Sequence, residues 1–257
     1  MSRVRLGAVR YLNAAPLVEG LAEAPDFALT ADVPSRVAAQ LHAGGIDLGM
    51  IPSIEYARGD YALVPGVAIG SRGPVRSVLL FHRGAPDAIR RVALDTSSRT
   101  SVALCRILLR ERLGRDPEYM DHPPDLGAML EAADAALLIG DPALYETSPL
   151  PRLDLGQEWL RVTGKPFVFA FWAGRAGVLE PRHVERLQEA LLDGLARIPA
   201  IAAAYDGGGR AALNESYLRE NIAFTFGRDE QAGLLEFYRR AHALGLIPRV
   251  PELRFLP

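Results

Sequence analysis

Short apolar runs alternate with helical patterns in the first part of the chain, and this alternation limits the possible folds more than any other feature. Residues 4–9 and 27–32 have strand patterns, and residues 46–51 form a nearly continuous apolar run typical of a buried parallel strand. Helical patterns lie between them, at residues 14–21 and from Pro34 to about residue 44. Strands that alternate with helices in this way predict an α/β fold.

A second series of strands and helices begins at residue 91. It predicts strands at residues 91–94, 118–120, 135–139 and 167–173, and helices at residues 102–113 and 126–132. From residue 181 onward the patterns are helical, at about residues 182–203, 210–220 and 229–244.

Two such series within 257 residues predict two α/β lobes with a ligand cleft between them. The first series and the helical tail are expected to form lobe 1, from residues 1–85 and 175–257. The second series, residues 86–174, is expected to form lobe 2, with the strand near residue 167 leading back to lobe 1.

Charge and cysteine content exclude several functions. A net charge of −2 argues against nucleic acid or an anionic membrane as the main partner. Lys165 is the only lysine, so lysine-based covalent chemistry has a single candidate, and Cys105 is the only cysteine and is expected in the core. The first residues carry no apolar segment of a signal peptide, and no run approaches a membrane span, which predicts a cytoplasmic protein.

One run is unusually rich in groups that bind anions. The predicted strand ending at Leu94 is followed by Thr96, Ser97, Ser98, Arg99, Thr100 and Ser101, and then by a predicted helix. Hydroxyls, a guanidinium and free backbone N–H groups at a helix N-terminus favour a carboxylate or phosphate ligand. An ordinary Ser/Thr helix cap is the alternative, but a cap needs one such residue and this run has five hydroxyls.

Polar residues follow other predicted strands and converge on the same cleft. They are Tyr11, Asn13, Ser53, Arg76, Ser77, Gly140 and Asp141. Four of them have a structural alternative, because Asn13, Ser53 and Asp141 are also suitable helix caps and Ser77 is also a candidate buried hydroxyl.

Motifs for metals and cofactors are missing from the sequence. The five histidines are isolated from one another, and there is no HExxH, no GxGxxG, no P-loop and no GxSxG. We therefore expect no metal and no cofactor. Any catalysis must use few ionisable groups.

Several segments together resemble one family over essentially the whole chain. They are Tyr-Leu-Asn-Ala-Ala-Pro-Leu (11–17), Ile-Pro-Ser-Ile-Glu-Tyr (51–56), Gly-Pro-Val-Arg-Ser-Val (73–78), Leu-Asp-Thr-Ser-Ser-Arg-Thr-Ser-Val (94–102), Ala-Ala-Leu-Leu-Ile-Gly-Asp-Pro-Ala-Leu (135–144) and Thr-Gly-Lys-Pro-Phe-Val-Phe-Ala-Phe-Trp-Ala (163–173). The chain resembles the chorismate dehydratases of the futalosine route to menaquinone. The resemblance implies a type II periplasmic-binding-protein-like fold and a cytoplasmic enzyme.

The resemblance also implies a reaction, the dehydration of chorismate to 3-[(1-carboxyvinyl)oxy]benzoate. We expect Asn13 and Ser77 to orient the substrate and assist the departing hydroxyl, while the enolpyruvyl carboxylate of the substrate accepts the ring proton. The run at residues 96–101 is expected to hold a carboxylate, and Gly140 and Asp141 to form the opposite wall. Tyr11, Ser53 and Arg76 complete the expected substrate contacts.

Three other functions remain open. A non-catalytic protein that binds a small anionic solute has the same fold and a similar cleft. The naphthoate synthase of the same pathway shares the fold, but we associate it with a catalytic histidine, and no histidine here lies in the matched segments. The effector-binding domain of a regulator is the third, although no DNA-binding module is visible.

Overall fold

The computed structural model describes residues 3–114, 116–175 and 177–257. Its strands form two separate sheets. In chain order the strands are β1 (Val4–Val9), β2 (Phe27–Asp32), β3 (Leu48–Pro52), β4 (Ala62–Leu63), β5 (Gly66–Ser71), β6 (Val78–His82), β7 (Arg91–Asp95), β8 (Glu118–His122), β9 (Ala135–Ile139), β10 (Arg152–Asp154), β11 (Phe167–Gly174) and β12 (Ala223–Phe226).

Each sheet is the centre of one lobe. The first has the order β12-β5-β11-β3-β1-β2, with β4 also beside β11, and the second has the order β10-β6-β9-β7-β8. As expected for α/β units, β1 runs parallel to β2 and β3, and β7 runs parallel to β8 and β9. The predicted two-lobed α/β fold is confirmed.

Helices connect the strands and cover the sheets. They are α1 (Pro34–His42), α2 (Arg99–Leu113), α3 (Leu126–Ala132), α4 (Asp141–Leu144), α5 (Leu155–Thr163), α6 (Pro181–Ala196), α7 (Ile198–Ala204), α8 (Ala211–Ser216) and α9 (Arg228–Ala243). The helix predicted at residues 14–21 is a 3₁₀ helix over Leu12–Val18, and a second 3₁₀ helix, Ser53–Arg58, follows β3. Among the described residues, no helix is long and apolar enough to span a bilayer.

The predicted lobe boundaries are wrong for two strands. β6 was assigned to lobe 1 but pairs with β9 and β10 of the second sheet, and β11 was assigned to lobe 2 but lies between β3 and β5 of the first. The chain therefore crosses between the lobes at residues 72–77 and 164–166. Both strands are fully buried apolar runs, and such a run does not show which sheet it joins.

The C-terminal segment also differs from the prediction. Between the helices predicted at residues 210–220 and 229–244, β12 adds an edge strand to the first sheet by pairing antiparallel with β5. Four residues are too few to give a clear strand pattern.

Cys105 is fully buried in the core, as predicted, and its burial raises the pKa of the thiol to about 12.

Candidate active site in the cleft

A narrow cavity lies between the two lobes, and residues from both line it. The predicted site residues on its wall are Tyr11, Asn13, Ser77, Ser98, Ser101 and Gly140. Val9, Phe169 and Ile139 belong to its apolar wall. The cavity thus combines a few polar groups with an apolar surface, which is the usual composition of a small-molecule site.

Tyr11 and Asn13 reach the cavity from the end of β1. Tyr11 is the residue before the 3₁₀ helix Leu12–Val18, and its ring lies against Gly140 of the second lobe. A Cβ atom at Gly140 would lie 2.7 Å from the Tyr11 ring, and the φ of Gly140 is +67°, so glycine is required on both grounds. The Oδ1 atom of Asn13 is buried, with no hydrogen-bond partner in the part of the chain that the structure describes.

Ser77 is held on the wall by a strained crossing loop. Arg76, the residue before it, has a φ of +60°, in the left-handed region that non-glycine residues rarely adopt. The carboxylate of Asp154 stabilises this turn, because it accepts hydrogen bonds from the backbone N–H groups of Val75 (3.0 Å) and Arg76 (2.7 Å). The Ser77 side chain is 1% exposed, and its Oγ accepts a hydrogen bond of 2.7 Å from Tyr217.

The N-terminus of α2 forms another part of the wall. Ser98 is the N-cap residue, and its Oγ accepts a hydrogen bond from the Ser101 N–H (3.4 Å) and donates one to the Ser101 Oγ (3.1 Å). α2 has 15 residues, so its dipole gives this end a partial positive charge that favours an anion. This helix end lies at a strand-to-helix turn and lines the cavity with Ser98 and Ser101, and the anion site expected there stays a prediction.

Other side chains of the run at residues 96–101 have structural partners instead. Ser97 donates to the buried carboxylate of Asp95 through both its N–H (2.8 Å) and its hydroxyl (2.5 Å). The Thr100 Oγ1 accepts a hydrogen bond from the N–H of Ile54 in the first lobe. Thr96 is exposed, away from the cavity wall.

Arg99 also points away from the cavity. Its guanidinium lies 2.9 Å from the carboxylate of Glu55, a fully buried side chain of the first lobe that also contacts His42 at 2.8 Å. This ion pair joins the two lobes. Arg99, which was predicted to bind substrate, is therefore paired with the carboxylate of Glu55.

Ser53 and Arg76 likewise lie outside the cavity wall. The Ser53 hydroxyl is buried and donates to the carbonyl of Val168 at 2.8 Å. Arg76 is exposed, and only its backbone has the role described above.

Asp141 connects the lobes and does not cap its own helix. Its Oδ1 accepts a hydrogen bond from the Leu12 N–H (3.0 Å), and its Oδ2 accepts one from the Tyr205 hydroxyl (2.5 Å). Both partners belong to the first lobe. Asp141 is not among the residues that line the cavity, and its carboxylate is occupied by protein groups, so the predicted contact with substrate stays a prediction.

Burial dominates the electrostatics of the site. It raises the pKa of the Asp95 carboxyl, against hydrogen bonds from Ser97 and Ile139 that act to lower it. It also raises the pKa of the Tyr11 phenol, against a hydrogen bond with Ser97. Among the described residues that line the cavity, none is a lysine, arginine, histidine or carboxylate. Helix dipoles and hydroxyls are therefore the groups available to an anionic ligand.

Tyr217 contacts Ser77 at the cavity, and the sequence does not predict this contact. It lies in the C-terminal segment, where a π-helical turn (Tyr217–Asn221) continues α8, and the chain there gives only a helical pattern.

In the described part of the chain, no group of three or more histidine, cysteine or acidic side chains could hold a metal ion.

The fold and its cleft define a class, the two-lobed type II periplasmic-binding-protein-like proteins. The periplasmic aliphatic sulphonate binding protein SsuA of Escherichia coli covers 100% of this chain with 94% of its own, at a TM-score of 0.67 and 18% identity. A crystal structure of an Archaeoglobus fulgidus protein covers 95% of this chain with 98% of its own, at a TM-score of 0.77 and 19% identity. At these identities the likeness concerns the fold.

Sequence comparison narrows the class to one family. The family model described as menaquinone biosynthesis matches residues 4–243, and the chain belongs to this family. A chorismate dehydratase of Thermus thermophilus is 35% identical over 264 residues, which span 94% of this chain and 95% of the relative. A chorismate dehydratase of Campylobacter jejuni is 31% identical over 174 residues, 64% of each chain.

Proposed function

We propose that this protein is a chorismate dehydratase, a hydro-lyase that converts chorismate to 3-[(1-carboxyvinyl)oxy]benzoate and water in menaquinone biosynthesis. The relative from Thermus thermophilus carries this activity in its name and matches the chain over nearly its whole length. The observation that carries the proposal is the pairing at the cavity of Asn13, with a buried free oxygen, and the Ser77 hydroxyl.

The reaction breaks two bonds of the substrate ring. The C3–H bond gives its electron pair to a new C3–C4 double bond, and the C4–O bond breaks with its pair on the departing hydroxyl. The proton from C3 and the hydroxyl together form one water molecule, and the ring becomes aromatic. Aromatisation makes the reaction strongly favourable, so the protein has only to lower the barrier.

Asn13 and Ser77 suit the departing hydroxyl. An alcohol needs an acceptor for its proton and a donor for its oxygen, and a carboxamide oxygen and a serine hydroxyl supply these. A hydrogen bond to the oxygen that gains negative charge stabilises the transition state more than the ground state. We therefore assign the oxygen of Asn13 as acceptor from the C4 hydroxyl and the hydroxyl of Ser77 as donor to it.

The proton acceptor is assigned to the substrate. The described cavity wall carries no carboxylate and no histidine, and chorismate brings a carboxylate on its enolpyruvyl group, close to C3. A weak base is sufficient when it is held in position, because positioning alone can contribute ~7–11 kcal/mol. The N-terminus of α2, with Ser98 and Ser101, is proposed to bind the ring carboxylate and fix this geometry.

The test is to incubate the purified protein with chorismate and record ultraviolet spectra, with product identification by mass spectrometry. We expect loss of the cyclohexadiene absorption and formation of one benzoate product per chorismate consumed, without added metal or cofactor. Chorismate that binds, as measured by calorimetry, and remains unchanged would overturn the proposal in favour of a solute-binding protein.

A further inference from the structure

Tyr217 hydrogen-bonds one of the two side chains that are proposed to act on the departing hydroxyl. It is 1% exposed, and its phenol donates to the Ser77 Oγ at 2.7 Å, across the junction between the lobes. Burial raises the pKa of the phenol, against the neighbouring Ser77 and Asn13 side chains, which act to lower it.

This bond fixes the role that Ser77 can play at the cavity. The phenol has one proton, and Ser77 accepts it, so the proton of the Ser77 hydroxyl remains free for another acceptor. Asn13 lines the same cavity, and its Oδ1 is buried, with no partner among the described residues.

We propose that Tyr217 is a positioning residue that sets the hydrogen-bond polarity of Ser77, keeping it as a donor toward the substrate hydroxyl, beside the acceptor oxygen of Asn13. The inference rests on the proposed dehydration. An acceptor and a donor side by side complement an alcohol, whereas two donors or two acceptors would not.

Burial keeps Tyr217 suited to this role. The desolvated phenol has its pKa raised above the ordinary value, so it stays protonated and continues to donate to Ser77 at any working pH. Tyr217 is also the first residue of a π-helical turn, a distortion frequent at functional sites.

The first experiment compares Tyr217→Phe with Tyr238→Phe, using initial rates of chorismate dehydration and thermal unfolding. Tyr238 is a matched control because it is also fully buried and donates one hydrogen bond of 2.7 Å, to the carbonyl of Ser53. We expect Tyr217→Phe to lower kcat by about 10- to 100-fold and to change KM by less than about threefold, while Tyr238→Phe loses similar stability and keeps kcat.

The second experiment repeats Tyr217→Phe in a Ser77→Ala background. If Tyr217 acts through Ser77, the added loss in kcat is much smaller than in the wild-type protein, because the two substitutions remove one shared interaction. Equal losses in both backgrounds would overturn the proposal, as would a Tyr217→Phe protein with wild-type kcat.

A measurement without turnover separates this inference from the proposed function. We expect a slowly exchanging hydroxyl proton in the NMR spectrum that is absent in Tyr217→Phe and shifted in Ser77→Ala. A signal that Ser77→Ala leaves in place refutes the hydrogen-bonded pair even if chorismate is dehydrated. A wild-type protein that shows the pair but leaves chorismate unchanged refutes only the proposed function.

Discussion

The cleft has two polar walls that use hydroxyl groups differently. In the run at residues 96–101, Ser97 and Thr100 bond to neighbouring protein groups, and what faces the cavity is the α2 terminus with Ser98 and Ser101. In the other wall, Ser77 keeps its proton free toward the cavity because it accepts the Tyr217 hydroxyl, and the Asn13 Oδ1 has no partner among the described residues.

The difference separates binding from chemistry. A helix terminus with fixed N–H groups favours an anion equally in the substrate and in the transition state, which lowers KM. Groups that meet the departing oxygen interact most strongly as charge develops on it, which raises kcat. Substitutions in the two walls should therefore affect different kinetic constants.

The largest effect is expected from Ser77→Ala. Loss of the proposed donor to the departing hydroxyl should lower kcat by about 100-fold or more, with KM changed little. Steady-state kinetics with chorismate measure both constants. Thr30→Val is the control, since it likewise removes a hydrogen-bonded hydroxyl, one that donates to the carbonyl of Leu6, but outside the cavity wall. A Ser77→Ala enzyme with reduced affinity and normal kcat would remove the distinction between the walls.

Gly140→Ala should damage both walls together. The added methyl group meets the Tyr11 ring at 2.7 Å, and a side chain at a φ of +67° and a ψ of −147°, a region almost restricted to glycine, costs about 1–3 kcal/mol. We expect a lower melting temperature and a clear rise in KM. Gly114→Ala provides the comparison for a positive φ without crowding, because its φ is +66°, with a ψ of 5°, and nothing lies within 4 Å of the added atom. Equal kinetic constants in the two variants would show that the Tyr11 contact does not shape the cavity.

Ser98→Ala tests the binding wall. The lost hydroxyl caps α2 and faces the cavity, and a hydrogen bond from it to the bound anion contributes ~1 kcal/mol, so KM should rise about fivefold while kcat stays within about twofold. Asp125→Ala removes the cap of α3, outside the cavity, and should reduce stability without raising KM. A fall in kcat larger than the rise in KM would place Ser98 in the chemistry.

The smallest kinetic effect is expected from Arg99→Gln. Because the guanidinium contacts Glu55, KM should change by no more than about twofold, while the free energy of unfolding falls by up to about 3 kcal/mol as a buried carboxylate loses a cation. Arg161→Gln, at an exposed pair within α5, should change neither. A tenfold rise in KM for Arg99→Gln would show that Arg99 binds the substrate.

The sequence predicted the elements whose pattern is local. β7, β9 and α3 lie close to their predicted positions at residues 91–94, 135–139 and 126–132. Each of these segments has a hydrophobic pattern that is typical of its own type of secondary structure. The placement of β6 and β11 was not predictable, since a buried apolar strand fits either sheet equally well.

The candidate site shows the same limit. Strand ends predicted that Asn13, Ser77, Ser98 and Gly140 would meet, because in open α/β sheets ligands bind beyond the strand ends. The partner of each polar group was not predictable. Whether Arg99 faces a ligand or Glu55 depends on a pairing over 44 residues, and the bond from Tyr217 to Ser77 spans 140.

Asp154 has a consequence for how the lobes can rotate. By binding the N–H groups of Val75 and Arg76, as well as those of Gly156 and Gln157 at the start of α5, it makes the end of the first crossing rigid with the second lobe. Bending is then restricted to residues 72–74 and 164–166. Both stretches contain a glycine and a proline, so the lobes rotate about two short hinges of similar composition. Ser77 moves with the second lobe as a fixed part of it.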